Sequence, residues 1–373
     1  MRRFAATRRT IESSASRIPG YTEEVREYGV EIVDSIDELL QRVDAVLLNT
    51  NDGRLHREQA LQVFQAGKPV FIDKPLAASL EDAIAIVQAA REHGVPMFTS
   101  STLRFTPDVQ EIRDGAIGRV IGAHAFSPAT LEPTHPDLFW YGIHGVEILF
   151  AVMGTGCETV VRHHSEGSDV VTCRWSDGRI GTFRGLREGR TGYGGTAFGT
   201  ESIRGIEYRG GYDGLTTRVA TFFDTGVPPF PLEETVEIFA FMEAAEESKR
   251  RGGAPVATAT FPDVGDGGTT TEITWTTESV EYSPTDEGRP SDEAASNPWV
   301  YGWRGRSNSA RPSFSSTISP EAPTLTSTCP GPGSGTGRVS RTAVESPGRR
   351  TPRMVSGSAL AASVAFMAVF PRS

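Results

Sequence analysis

The sequence predicts an α/β protein with an incomplete, doubly wound parallel sheet, followed by an α+β domain with a mostly antiparallel sheet and by a disordered C-terminal tail. Three observations predict this order. Short apolar strands first alternate with helices of about 12 residues, which is the pattern of βαβ units. Short alternating segments with turn signals then replace them, and finally the hydrophobic periodicity stops. The corresponding ranges are 1–103, 104–256 and 257–373.

The first range contains the strand and helix alternation. Ser35 precedes an apolar helical pattern and Glu38 follows three residues later, which is the signature of a capping box. Gly67 is typical of a helix C-terminus. Near-continuous apolar strands are typical of a sheet covered on both faces. The predicted strands are Val30–Val33, Asp44–Asn49, Pro69–Asp73 and Val95–Thr99, and the predicted helices are Ser35–Leu40, His56–Ala66 and Ser79–His93.

The second range has a different texture. Alternating segments joined by turn residues such as Ser176-Asp177-Gly178 predict hairpins. Such an order favours an antiparallel sheet with helices on one face. The predicted strands are Val120–Phe126, Cys157–His163, Asp169–Arg174 and Arg179–Arg184, and the predicted helices are Pro107–Arg113, Tyr141–Val152 and Leu232–Arg251.

Composition excludes several classes of function. The net charge of −10 argues against a nucleic-acid or anionic-membrane surface. The basic range 301–373 has few aromatic residues, so it is a poor candidate for a nucleic-acid-binding arm. The longest apolar run, Ala359–Phe370, is shorter than the roughly 20 residues that span a bilayer. The chain is therefore expected to have neither a nucleic-acid nor a membrane partner.

The cysteines are too few and too scattered for a disulfide framework or a zinc site. They are Cys157, Cys173 and Cys329. No metal is expected, and a reducing, cytoplasmic compartment is the default.

The most informative candidate residue is Lys74, at the end of the predicted strand Pro69–Asp73. Ligands bind at the carboxyl ends of strands in open α/β sheets, and Pro75 stops the strand there. Only three of the 37 basic residues are lysines, and a desolvated lysine, unlike arginine, can lose its proton. Judged by its position alone, Lys74 could equally be an ordinary solvated cation.

Three motifs occur together in this chain: Asn49-Thr50-Asn51 followed by His56 and Ala60, then Asp73-Lys74-Pro75, and then Tyr141 to Glu147 with His144 in its centre. Over residues 20–256 this combination resembles the glucose-fructose oxidoreductase and inositol dehydrogenase family, written Gfo/Idh/MocA. The resemblance implies a Rossmann-type first domain and a nicotinamide cofactor, NAD or NADP. It also implies a substrate and oligomerisation domain whose sheets pack face to face in a homo-oligomer.

The resemblance also implies roles for individual residues. Lys74 and His144 would be the catalytic pair, transferring a hydride between the nicotinamide and a polyol, sugar or related hydroxy compound. The implied cofactor-binding residues are Thr50, Asn51, His56, Asp73, Lys74 and Pro75, and the implied substrate residues are Arg104 and Tyr141. Without the resemblance, His144 would more often be a satisfied core residue. A surface N-terminal cap remains an equal alternative for His56.

The chemistry is consistent with these residue types. Removing a hydride from a carbinol also requires removal of its hydroxyl proton, and a histidine with an ordinary pKa near 6.5 accepts a proton at neutral pH. An ammonium nearby stabilises the developing alkoxide.

Two departures from the family pattern matter. Residues 1–28 contain no G-x-G-x-x-G segment, so the first βαβ unit is expected to be absent, most simply through a truncated or mis-started reading of a longer gene. NAD(H) binding is then expected to be weak. The segment Gly192–Ala197 matches the glycine pattern but is predicted to be a loop, because no periodic helix follows.

The second departure is Trp140, where the family has an aspartate; Asp137 or Glu147 could compensate. Both departures favour the alternative of a non-catalytic ligand-binding or scaffold member of the same fold.

Overall fold

The computed structural model describes residue 11, residues 16–258 and residues 300–303. They belong to one compact unit that contains a four-stranded and a seven-stranded sheet. The tail that the sequence predicts to be disordered lies outside the described residues, apart from 257, 258 and 300–303.

The first sheet is built from parallel strands in the order β1, β2, β3. Ser35 and Ser79 cap two of the helices, since their hydroxyl oxygens accept the backbone N–H groups of Glu38 and Asp82. The elements in chain order are α1 (Ile18–Glu27), α2 (Ile36–Leu40), β1 (Ala45–Leu48), α3 (His56–Gln65), β2 (Val70–Asp73), α4 (Leu80–Glu92) and β3 (Met97–Ser100). The Rossmann-like parallel sheet is thus confirmed for these three strands.

The second sheet has seven strands in the order β10-β5-β6-β7-β4-β8-β9, and only the β4–β7 pair is parallel among these. This confirms the mostly antiparallel sheet. Its elements begin after a 3₁₀ turn (Thr102–Phe105), and one turn of π-helix (Leu138–Gly142) leads into α6. They are α5 (Pro107–Arg113), β4 (Val120–Pro128), α6 (Ile143–Met153), β5 (Cys157–His164), β6 (Ser168–Trp175), β7 (Ile180–Leu186), β8 (Gly194–Gly199), β9 (Ile203–Glu207), α7 (Asp213–Thr225), α8 (Leu232–Arg250) and β10 (Val256–Ala257).

Helices α6 and α8 cover one face of this sheet. Every residue of α6 except His144 is buried, as expected for a helix that is hydrophobic all round. The ring of Phe150 on α6 lies 5.7 Å from that of Trp175 on β6 and 5.6 Å from that of Phe241 on α8. These aromatic contacts join the two helices and the sheet into one core.

The structure differs from the sequence prediction at both ends of the first sheet. Residues 30–33 form no strand, and no strand among the described residues pairs with them. The outer edge of β1 pairs instead with β11 (Val300–Trp303), which runs antiparallel to it. A buried strand edge needs partners for its N–H and C=O groups, and this segment of the predicted tail supplies them.

A disulfide joins Cys157 on β5 to Cys173 on β6. The scattered spacing of the cysteines did not predict it. The two strands are antiparallel neighbours, so the hairpin brings together residues that are 16 positions apart.

The glycine-rich segment Gly192–Ala197 is not a loop throughout, since β8 begins at Gly194. Gly195 lies against the neighbouring strand, and a Cβ there would overlap the backbone carbonyl of His124. We expect Gly195→Ala to lower the free energy of unfolding by about 1–3 kcal/mol through overpacking. Gly205→Ala on the adjacent strand β9 is the matched control, because its Cβ would meet open space. Urea denaturation measures both, and equal stabilities of the two variants would contradict the packing.

Candidate active site

Lys74 follows β2 directly, as predicted, and its side chain is only 19% exposed. Its Nζ lies 3.5 Å from Oδ2 of Asp73. This partial shielding distinguishes Lys74 from a freely solvated strand-end cation. The ammonium stands at the carboxyl edge of the parallel sheet, where α/β folds bind ligands.

His144 lies in the first turn of α6, on the second sheet's side of the structure. Its Nδ1 is 2.8 Å from Oγ of Ser101, which follows β3 of the first sheet. Burial lowers the pKa of His144 well below its ordinary value, and the Lys74 ammonium lowers it further. The structure therefore brings the two predicted catalytic residues together, and it keeps the imidazole neutral at pH 7.

Tyrosine rings surround His144. The Tyr141 ring meets it edge to face at 5.3 Å, and the Tyr193 ring does so at 5.7 Å. Tyr208 packs in turn on Tyr193, 5.4 Å away. Burial raises the pKa of Tyr193, and the neighbouring Tyr141, which forms a hydrogen bond with Tyr193, raises it further. The Tyr193 phenol therefore stays protonated. The predicted Tyr141 thus lies at the site.

Sequence reasoning missed Tyr193. It stands between Gly192 and Gly194 in the segment that matches the glycine pattern. The segment was predicted to be a loop, whereas Gly194 and Gly195 begin strand β8, and the ring of Tyr193 contacts that of His144. Nothing in the spacing indicated this contact, because it depends on the pairing of β8 with β4.

His56 is fully buried, which excludes the alternative of a surface cap. Its Nδ1 lies 2.9 Å from the carbonyl oxygen of Pro75, and its Nε2 lies 2.7 Å from that of Thr50. Burial lowers its pKa, against the effect of these carbonyl groups. His56 therefore ties the loop after β1 to the loop that carries Lys74. Thr50 is also buried and donates a hydrogen bond to Oε1 of Gln59, and half-buried Asn51 follows it.

Arg104 has surroundings that differ from the predicted contact with substrate. Its side chain is 1% exposed, and its Nε donates to Glu147 at 2.7 Å. Its Nη1 pairs with Glu234, and its guanidinium lies 4.1 Å from the centre of the Phe230 ring. Arg104 pairs with two buried carboxylates, joins the turn after β3 to α6 and α8, and is enclosed by protein.

Neither Asp137 nor Glu147 replaces the aspartate that the family has where this chain has Trp140. Asp137 pairs with Arg162 at 2.7 Å and with Lys249, while Glu147 is held by Arg104. Trp140 packs against the ring of buried His135, 5.1 Å away. The expected compensation is therefore wrong for both residues, because each is committed to a cation elsewhere.

The first domain matches a known family. Residues 7–101 match the sequence profile of the GFO_IDH_MocA family, described as an oxidoreductase family with an NAD-binding Rossmann fold. Over these residues the chain is similar to the Gfo/Idh/MocA family. The match carries the motifs around Thr50 and Lys74.

Curated relatives of the chain agree with the profile. It is 42% identical over 130 residues to the 1,5-anhydro-D-fructose reductase of Ensifer adhaerens, covering 33% of this chain and 38% of the relative. It is 31% identical over 147 residues to inositol 2-dehydrogenase 2 of Saccharopolyspora erythraea, covering 37% and 43%. The chain therefore spans about two fifths of the length of these relatives.

Solved structures share the fold over a longer range. A probable dehydrogenase from Thermotoga maritima superimposes with a TM-score of 0.55 at 21% identity, covering 64% of this chain and 89% of that one. GenD2 from gentamicin A biosynthesis, solved in complex with NAD, gives a TM-score of 0.54 at 21% identity, with coverages of 64% and 86%. At this identity the likeness shows the fold.

The Arg104 cluster generates a stability prediction. We expect Arg104→Met to lower the free energy of unfolding by about 3–5 kcal/mol, because it leaves the buried carboxylate of Glu147 without its cation and leaves Glu234 with only Arg113, 3.8 Å away. Arg91→Met is the matched control. Arg91 pairs with Glu233 beside Glu234, but both side chains are about two fifths exposed, so a loss below about 1 kcal/mol is expected. Urea denaturation of the two variants checks this, and a similar small loss for both would rule out the buried role.

Proposed function

We propose that this chain is an NAD(P)-linked oxidoreductase that transfers a hydride between nicotinamide and a hydroxyl-bearing carbon of a sugar, polyol or related compound. The observation that carries the proposal is the contact of His144, on α6, with the edge of the first sheet that bears Lys74. β2 and β3 pair up to Asp73 and Ser100, directly before Lys74 and Ser101, and Nδ1 of His144 lies 2.8 Å from Oγ of Ser101. The relatives named above as a reductase of an anhydro sugar and as an inositol dehydrogenase support the substrate class.

Each side chain has a distinct role in this proposal. His144, neutral at pH 7, accepts the proton of the substrate hydroxyl. The Lys74 ammonium stabilises the oxygen as negative charge develops on it. Tyr141 and Tyr193 flank the imidazole and offer hydroxyl groups to a polyol. The nicotinamide, when bound, supplies the hydride acceptor.

The described residues fit the nicotinamide end of the cofactor. The loops after β1 and β2 carry Thr50, Asn51 and Asp73 to Pro75, and they lie at the carboxyl ends of neighbouring parallel strands. Gly53 lets these loops approach, since a Cβ there would lie 2.8 Å from the backbone of Ala77. The described residues include no G-x-G-x-x-G segment before β1. Weak cofactor binding therefore remains our expectation.

We also propose a homo-oligomer, and the open face of the second sheet supports it. Ile180, Phe198 and Ile203 are paired across β7, β4, β8 and β9 through Gly122, so they form one row on one face. These three side chains are 60%, 38% and 67% exposed. An apolar row of this kind suits burial against a second copy.

Among the described residues, no helix is long and apolar enough to cross a bilayer.

A second candidate function is ligand binding without turnover on the same fold. The observation that favours it is Trp140, which packs on His135 where the family has a carboxylate. In that case the site would hold a hydroxy compound without transferring a hydride.

A turnover assay distinguishes the two. The purified chain is mixed with millimolar NAD⁺ or NADP⁺ and a panel of polyols, inositols and anhydro sugars, and reduced nicotinamide is followed by its absorbance. Turnover is expected, and Lys74→Met and His144→Asn should each reduce kcat by at least about 100-fold. Lys68→Met, at the other end of β2, is the control and should keep full activity. Saturable sugar binding by calorimetry without any turnover would instead support the non-catalytic candidate.

A further inference from the structure

Ser101 holds a position that the proposed mechanism does not use. It follows β3 and is 1% exposed. Its Oγ lies 2.8 Å from Nδ1 of His144 and accepts the backbone N–H of Leu103 at 3.3 Å. The hydroxyl therefore belongs to the first sheet's turn but contacts the imidazole on α6. Sequence reasoning did not single out this serine.

The contact bears on which nitrogen of His144 carries the proton. A neutral imidazole has one N–H, and a base needs its lone pair on the nitrogen that faces the substrate. Ser101 occupies Nδ1, so Nε2 is the nitrogen left for the substrate. The serine oxygen accepts one hydrogen bond from Leu103 and keeps a lone pair for a second.

We propose that Ser101 is a positioning residue that accepts a hydrogen bond from Nδ1–H of His144 and so leaves the Nε2 lone pair free to receive the substrate proton. The proposal rests on the function proposed for His144. The reverse arrangement, in which the serine donates to Nδ1, would place the proton on Nε2 and remove the lone pair that the reaction needs.

Neighbouring contacts restrict the imidazole to this arrangement. The rings of Tyr141 and Tyr193 meet it edge to face, which limits its rotation. A half-turn of the ring would replace Nδ1 by carbon at Ser101 and leave the nitrogen without this partner. Ser101 thus selects the orientation of the ring as well as its tautomer.

The serine itself is held in place from α6. Its backbone N–H donates to Oε1 of Glu147 at 3.4 Å, and the other carboxylate oxygen of Glu147 accepts from Arg104. Glu147 lies three residues after His144 on the same helix. The turn after β3 and the first turn of α6 are therefore joined at both the side chain and the backbone of Ser101.

The tautomer can be measured without turnover. In wild-type protein at pH 7.5, ¹⁵N NMR of the His144 ring is expected to show the proton on Nδ1 and an unprotonated Nε2. In Ser101→Ala the Nδ1–H tautomer should no longer predominate over the Nε2–H tautomer. Ser101→Thr, which keeps the hydroxyl, should restore the predominance of the Nδ1–H tautomer. Ser100→Ala is the matched control, because the neighbouring buried serine hydroxyl bonds to the carbonyl of Ser101 and not to His144. Wild-type protein with the proton on Nε2 would overturn the proposal.

Kinetics give a second readout. Ser101→Ala should lower kcat about 10- to 100-fold with little change in KM, and Ser101→Thr should recover most of it. Equal kcat values for Ser101→Ala and Ser100→Ala would count against the positioning role. The two proposals fail separately: a wild-type enzyme without turnover but with the Nδ1–H tautomer contradicts only the proposed function, whereas normal turnover with an Nε2–H tautomer contradicts only the role of Ser101.

Discussion

The site depends on the buried ion pairs of Arg104 with Glu147 and Glu234. Removing these charges from water costs several kcal/mol per ion, which only close pairing and hydrogen bonding offset. The cluster exists where the turn after β3 meets α6 and α8, so it fixes α6 against the end of the parallel sheet. Because His144 precedes Glu147 by one helical turn, the same contacts decide where the imidazole stands relative to Lys74 and Ser101.

A second constraint holds Lys74 in place. The buried ring of His56 contacts carbonyl oxygens in the loops on both sides of it, at Thr50 and at Pro75. His56, which the sequence suggested as a cofactor contact, thus instead supports the loop that carries Lys74. Both constraints are polar groups buried with their partners, which favours one arrangement of the site over looser alternatives.

The sequence predicted the features that depend on local pattern. Apolar strands at β1 to β3, the caps at Ser35 and Ser79 and the strand-end Lys74 follow from periodicity and capping chemistry, and all were confirmed. The features that it missed depend on strand pairing between distant segments. β11 against β1, the disulfide, and Tyr193 at His144 all arise from contacts across the sheets.

Residue type alone could not separate roles that burial decides. Arg104 has the charge expected of a substrate ligand, but two acidic residues far apart in sequence enclose it. Asp137 has the charge needed to replace the missing carboxylate, yet it is paired with Arg162. Ser101 carries no catalytic pattern, and only its hydrogen bond to His144 indicates a role.

The central claim is that Lys74, at the end of β2, and His144, on α6, act in one site. Its most direct measurement is the pKa of His144 by NMR titration in the wild type, in Lys74→Met and in Lys68→Met. Removing a nearby cation makes the protonated imidazole less unfavourable, so Lys74→Met should raise the pKa of His144. Lys68→Met should leave it unchanged, and an unchanged pKa in Lys74→Met would contradict the claim.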